Sequence, residues 1–266
     1  MTVCIAATCD MSGEPKIIMC SDWQVSSDLG SSQTAFKQRL IKKGWYCLFA
    51  GDPSAAIQVV RILRNHFIKE ATIDETNILP LIQKSLAERK RFLCEGLIQG
   101  KFAMSYDSFL KNGKQQLPAD RFEQAVRTIE TIEIGVECII CGFSGGKFPI
   151  LVQTDQFCGA WIQESFATVG AGSDLAHASL MHRQHDEMGL LDASIYSVFE
   201  AKKWAERNKN VGNMTSFTVL RPDASAQLVK PDGREFLEQK FAEYGPKEVP
   251  FDLKLPEGSL SPISTN

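Results

Sequence analysis

The sequence predicts an α+β fold in which two antiparallel sheets carry helices on their outer faces, a four-layer α/β/β/α sandwich. Three observations lead there. Apolar runs of strand length come in neighbouring pairs separated by turn residues, the pattern of hairpins and therefore of antiparallel pairing. Helical stripes follow each group of strands instead of alternating with single strands, which argues against a mostly parallel doubly wound sheet. The 266 residues, 44% hydrophobic, allow one large domain or two small ones, and the element order fits a single layered domain.

The elements follow in order. Residues 2–9 and 16–21 are rich in Val, Ile and Ala, with turn residues at 10–15 between them, so they read as a hairpin. A second hairpin spans 32–40 and 44–50. Gly51-Asp52-Pro53-Ser54 opens a helix whose Ala56, Val59, Val60, Leu63 and Phe67 fall on one stripe. Another helix covers 77–99, crossed by Leu79, Ile82, Leu86 and Leu93. The polar stretch 105–118 reads as a loop and 120–129 as a short helix.

Strands return at 136–143 and 148–154, with weaker runs up to Val169. Gly170-Ala171-Gly172-Ser173 is a second glycine turn into a helix that ends near His182. A longer helix covers 192–207, strands cover 216–221 and 226–230, and a closing helix covers 234–243. These readings make residues 1–244 one domain with an extended helical insertion at about 100–132. The Pro-containing tail, 245–266, is expected to be peripheral or disordered.

Charge narrows the function. The chain has 29 basic and 32 acidic residues, a net charge of −3 and a pI near 5.9, which argues against nucleic-acid or anionic-membrane binding through bulk charge. Apolar runs are too short to span a bilayer, and residues 1–10 lack the basic start and long apolar stretch of a secretory signal. The expected location is the cytoplasm, and the eight cysteines are expected to be reduced thiols. Cys138 and Cys141 have CxxC spacing but lie in a strand, where positions three apart face opposite sides; no second pair completes a zinc site.

Most standard catalytic signatures are missing. The chain has no Gly-x-Ser-x-Gly elbow, Walker motif or dinucleotide glycine fingerprint. His182, His185, Asp186 and Glu187 read as solvated helix-end residues rather than ligands, so neither a metal nor another cofactor is expected. Thr2 is the exception. Removal of Met1 would give one residue both a hydroxyl and a free α-amine, whose ordinary pKa of about 7.7–8.0 leaves part of it neutral and basic. A nearby ammonium would enlarge that fraction, and the amine would take the hydroxyl proton directly or through one water.

Three further segments give Thr2 its context. Cys20-Ser21-Asp22 ends the second strand, Gln33-Thr34-Ala35-Phe36-Lys37 comes next, and Phe49-Ala50-Gly51 ends the strand before the first helix. Lys37 stands 15 positions after Asp22, and Gly51 stands 14 after Lys37. With these residues the chain resembles the proteasome β-subunit family of N-terminal-nucleophile hydrolases, including bacterial relatives that begin at Met-Thr. The first interval is within a residue of the family's and the second matches it. The resemblance covers roughly residues 2–70 and 133–221.

The resemblance implies a set of roles. Thr2 would attack, with its own amine as general base. Lys37 would depress pKa values around Thr2, and Asp22 would hold Lys37 in place. The Gly51 N–H would donate to the oxyanion, and Ser173 would hydrogen-bond near the threonine amine. The backbone of Ser26 would align an extended substrate, while Val25, Ala35 and Phe49 would line a specificity pocket for apolar or small side chains. Taken singly, each has a structural explanation: Asp22 as a strand end, Lys37 as an exposed base, Gly51 as a turn glycine. The family's Asp and Ser near the last long helix are replaced by Asn208 and Val211.

The expectation is a threonine-type peptidase or amide hydrolase acting through an acyl-enzyme, assembled as a homo-oligomeric ring or stacked array. Two alternatives accompany it: a small-molecule amidase of the same fold, and an inactive proteasome-like assembly subunit if Met1 is retained.

Overall fold

The computed structural model describes residues 2–27, 30–33, 36–245 and 253–262. Its centre is a hairpin of β1 (Cys4–Cys9) and β2 (Lys16–Asp22), paired with Cys4 opposite Ser21 and Cys9 opposite Lys16. Every residue of both strands is buried, so neither shows the polar alternation of a strand with one wet face. At the turn, Asp10 accepts a hydrogen bond from Lys16 Nζ at 2.6 Å.

β10 (Phe166–Val169) pairs with the free side of β1, and β11 (Thr215–Leu220) with the free side of β2. β12 (Ala226–Val229) and β13 (Leu260–Pro262) complete a six-stranded antiparallel sheet. The second sheet is an antiparallel meander of β5 (Gln38–Lys42), β6 (Trp45–Gly51), β7 (Val136–Ser144), β8 (Phe148–Thr154) and β9 (Ala160–Gln163). β3 (Gln24–Ser27) and β4 (Gly30–Gln33) form a separate two-stranded ribbon.

Three apolar clusters place the helices. The first lies between the sheets, where Cys4, Ala6, Ile17 and Met19 of one meet Leu48, Ala50, Ile139 and Leu151 of the other. The second is built by α1 (Pro53–Phe67) and α2 (Ile78–Phe102), whose Val59, Leu63, Phe67, Ile82 and Leu86 pack on Cys47, Phe49, Cys138 and Ile140. The third lies under α5 (Ser173–His182), α6 (Leu191–Ala205) and α7 (Pro231–Tyr244), where Leu180, Tyr196, Phe199 and Leu237 cover Ile5, Ile18 and Phe217. Burying each such large apolar side chain contributes about 1.5–3 kcal/mol.

The two-residue period of a strand decides which cluster each side chain joins. Cys4 and Ala6 face the other sheet, whereas Ile5 and Ala7 face the helices. Cys138 and Cys141 likewise fall in different clusters, on opposite faces of β7, and all eight cysteines are free. The fold is mixed α+β with two antiparallel sheets and, among the described residues, seven α-helices, an arrangement compatible with a sandwich.

Three segments depart from the sequence reading. Residues 105–118, expected as a loop, contain α3 (Tyr106–Gln116), capped by Ser105 Oγ on the Ser108 N–H at 3.2 Å. α3 packs with α4 (Ala119–Glu130) and the end of α2 around Phe109 and Ala125, a satellite core of its own. Residues 32–33 belong to the β3–β4 ribbon rather than to the hairpin, because their Gly- and Ser-rich run has no apolar alternation to fix it in a sheet. The tail contributes β13 and a buried Leu253, since the exposed edge of β12 still has backbone groups to pair. Among the described residues, no helix is long and apolar enough to cross a membrane.

Candidate active site

Thr2 directly precedes β1 and is 2% exposed. The strand register sets Val3 beside Asp22, the last residue of β2: the Asp22 N–H donates to Val3 O at 3.2 Å, and the Val3 N–H donates to Asp22 Oδ1 at 3.1 Å. Asp22 is fully buried. Its Oδ1 also accepts from Lys37 Nζ at 3.0 Å, and its Oδ2 accepts from the Gln24 and Gly212 N–H groups at 3.2 and 2.9 Å. Four donors therefore replace the water lost by one carboxylate.

Lys37 reaches the same place from the other sheet. Its three ammonium hydrogens are matched by three acceptors: Thr2 Oγ1, Asp22 Oδ1 and Gln24 O. Gln38, the first residue of β5, is the reason Lys37 is held so firmly. Its buried amide donates to Ser216 O and Ser21 Oγ at 3.2 and 3.3 Å and accepts from Thr218 Oγ1 at 2.6 Å, fastening β5 to the six-stranded sheet. The Phe49 N–H adds a bond to Lys37 O at 3.2 Å.

A cavity of about 330 Å³ opens beside Thr2, lined among others by Gly51, Gly135, Glu137, Gln156 and Ala171. Gly51 ends β6 at φ +120°, and a Cβ there would lie 2.5 Å from Gly135 O, so glycine alone fits this turn. Asp52 next to it caps α1 through the Ser54 N–H at 2.7 Å, and α1 has no acidic residue in its first turn. The cavity thus borders the N-terminus of α1, whose dipole the Asp52 carboxylate already meets.

Gly170 closes the opposite wall. It has φ +96°, and a Cβ on it would stand 2.4 Å from Thr2 O. Its N–H donates to Glu137 Oε2 at 2.9 Å, and the Gly172 N–H donates to Thr2 O at 3.3 Å. Asn208 Nδ2 holds Ala171 O at 2.6 Å. Beneath this loop, the fully buried Lys202 binds Gly212 O and Asn213 O at 2.6 and 3.2 Å, which steadies the amide that caps Asp22.

The Cys4 sulfur, which feels Lys37 and Asp22, is not a competing nucleophile. Burial pushes the Cys4 thiol well up, against the opposing pull of Lys37, and its Sγ donates to Phe49 O at 3.2 Å. A thiol held protonated reacts poorly.

Of the residues expected from the sequence, Thr2, Asp22 and Lys37 come together, and Gly51 lines their cavity. Ser173 begins α5, and among the described residues it makes no hydrogen bond to Thr2; the contact from this loop comes from the Gly172 backbone. Val25 and Ser26 lie in β3, opposite Ser32 and Ser31. Ala35 and Met1 lie outside the described residues.

Phe49 lines a second cavity of about 250 Å³ with Arg39, Ile57, Val60, Arg61 and Arg64, a more basic lining than the apolar one expected. His182 ends α5 and His185 turns away to Thr8 O, and among the described residues no group of three or more His, Cys, Asp or Glu gathers as a metal site would. No protein-family model matches the chain, and no curated protein matches it.

Sequence reasoning missed Glu137, Gln38 and the Gly212 amide. Glu137 had a visible signal, as the single acidic residue in an otherwise apolar strand. Gln38 had a weaker one, and a backbone N–H has none.

Proposed function

We propose that the chain is a threonine-type N-terminal-nucleophile hydrolase of the proteasome β-subunit kind, with the four-layer fold of that class, cleaving amide bonds in peptides once Met1 is removed. The observation that carries this reading is the buried Lys37 ammonium shared between Thr2 Oγ1 and Asp22. A lysine aimed at a buried threonine hydroxyl, and secured by a carboxylate with three further donors, is an expensive arrangement for structure alone.

In this mechanism the Thr2 amine accepts the hydroxyl proton as Oγ1 attacks the substrate carbonyl carbon. Lys37 stabilises the developing negative charge on Oγ1 and favours the neutral amine. The oxyanion of the tetrahedral intermediate takes the Gly51 N–H. Collapse passes the proton from the Thr2 ammonium to the leaving amine and leaves an ester on Oγ1. Water then attacks the ester with the same amine as base, releasing the acid and restoring Thr2. In this reading the chain assembles as a ring or stacked array of identical copies.

Intact mass of the natively expressed protein, followed by a threonine-directed β-lactone, tests the proposal. Loss of Met1 and a single adduct on Thr2, absent from Thr2→Ala, is the expected result. A chain that keeps Met1 and takes no label is instead an inactive assembly subunit. A labelled enzyme that turns over small amides but no peptide is an amidase.

A further inference from the structure

Glu137 stands where an apolar residue is expected. Its neighbours in β7, Val136 and Cys138, enter the core beneath α1 and α2. The two-residue period turns Glu137 the other way, to the side of Ile139 and Cys141 in the layer between the sheets. A carboxylate on that face loses water and must be compensated.

The strand register fixes where this carboxylate emerges. Glu137 lies opposite Ala50 of β6, and Ala50 Cβ is so close to Gly170 that a Cβ added there would stand 2.9 Å away. Glu137 Oε2 accepts the Gly170 N–H at 2.9 Å, and the half-buried side chain opens into the cavity that also holds Thr2, Gly51, Gln156 and Ala171. Val25 and Phe49, which the resemblance assigns to a specificity pocket, are not among the residues lining it.

The charge of Glu137 is unanswered. Elsewhere carboxylates withdrawn from water face a cation: Asp22 meets Lys37, Glu200 meets Arg183 and Asp10 meets Lys16. Among the described residues, no cation pairs with Glu137, no group donates to its Oε1, and the rest of the cavity lining is neutral. Lys37 is no substitute, because Thr2 Oγ1, Asp22 Oδ1 and Gln24 O engage its three hydrogens. A concavity with one uncompensated negative charge raises the local concentration of cations.

We infer that Glu137 is the counter-ion for a cationic group, an ammonium or a guanidinium, that the substrate carries next to the scissile bond. The inference rests on the hydrolase reading of Thr2 and assigns its substrate class. The cation would bond Glu137 Oε1 while the Gly170 N–H keeps Oε2 in place, and a neutral isostere would forfeit that charge-assisted bond. The cavity, about 330 Å³, falls in the size range of small-ligand sites. Glu137 takes no proton in the reaction, which stays with the Thr2 amine.

The test uses the natively expressed full-length protein and β-lactones that acylate Thr2 through one common ring. Each carries an aminobutyl, pentyl or carboxypropyl chain, placed either on the carbon next to the carbonyl or on the carbon that bears the leaving oxygen. Both sides of the scissile bond are thereby sampled, and the rate of Thr2 acylation is read by intact mass. At the position that faces Glu137, the aminobutyl probe is expected to react about tenfold faster than the pentyl probe, the size of one charge-assisted hydrogen bond in a partly wet site. The carboxypropyl probe should be slowest. Glu137→Gln, whose amide oxygen can still accept the Gly170 N–H, should bring the aminobutyl-to-pentyl ratio close to one. Gln156→Glu, a second variant that adds a carboxylate to the same wall, should raise the ratio further. If Glu137 only secured the Gly170 loop, Glu137→Gln would change all rates alike and keep the ratio, which overturns the inference. Equal aminobutyl and pentyl rates at both positions overturn it too, while leaving the hydrolase intact. Failure of every probe to modify Thr2 overturns the hydrolase reading and this inference with it.

Discussion

Asp22 and Lys37 contribute differently to one network, and substitution separates their contributions. Asp22→Ala strands the N–H groups of Val3, Gln24 and Gly212 and removes an acceptor from Lys37. Lys37→Met removes only one of the four donors to Asp22. In the hydrolase reading both should abolish acylation, but Asp22→Ala should cost more stability, by about 1–2 kcal/mol, because buried unpaired groups dominate the penalty. Urea midpoints of the two variants decide this, and the reverse order would mean that ionic attraction rather than backbone satisfaction holds the strand end. Thr2, Asp22 and Lys37 were legible in the sequence because their chemistry is written in their side chains. The Gly212 and Gly172 amides were not, since any residue but proline supplies an N–H and only the fold aims it. Ser173 illustrates the converse: its side chain stood out in the sequence, yet its neighbour's backbone makes the contact with Thr2.

At the level of elements, α1 was plain because its apolar stripe is wide and lies on a sheet. α3 was hidden because its apolar face meets only a satellite core. Phe109 is its one large fully buried side chain, between the rings of Phe102 and Phe122 at 6.2 and 5.1 Å, while Leu110 remains 59% exposed. Lys111, Asn112, Lys114, Gln115 and Gln116 dilute what pattern is left. The satellite is accordingly a separable unit. Phe109→Ala is expected to cost it about 3–5 kcal/mol. Amide exchange should accelerate across α3 and α4 while β1, β2 and α6 stay protected. Uniform loss of protection would show instead that the insertion is integral to the main cores. β13 was unreadable for a different reason: a three-residue strand has no period, and only the edge of β12 defines it.

For the whole molecule, a mixed α+β fold with antiparallel sheets was readable from paired apolar runs and their turns, whereas the pairing order of distant strands was not. β10 and β11 lie far along the chain from the hairpin they flank, and their register depends on closing long loops. One link across this sheet titrates. His185 sits against Thr8 O at 3.0 Å and the Phe166 ring, with Asp186 adjacent, and burial holds its imidazole below the ordinary 6.5. The unfolded chain therefore takes up this proton first as pH falls. Its contribution to stability is complete above 6.5 and is lost as pH falls through the lowered folded value. Melting temperatures should drop more steeply for the native protein than for His185→Gln between pH of about 7 and about 5, and parallel curves would assign the acid sensitivity elsewhere. The central placement of β1 bears on maturation in the hydrolase reading. Flanked by β2 and β10, and with Thr2 O and the Val3 N–H both engaged, the nucleophile is seated independently of what precedes it. Cleavage ahead of Thr2 would then switch on reactivity as a purely chemical event, with no accompanying change of shape to detect.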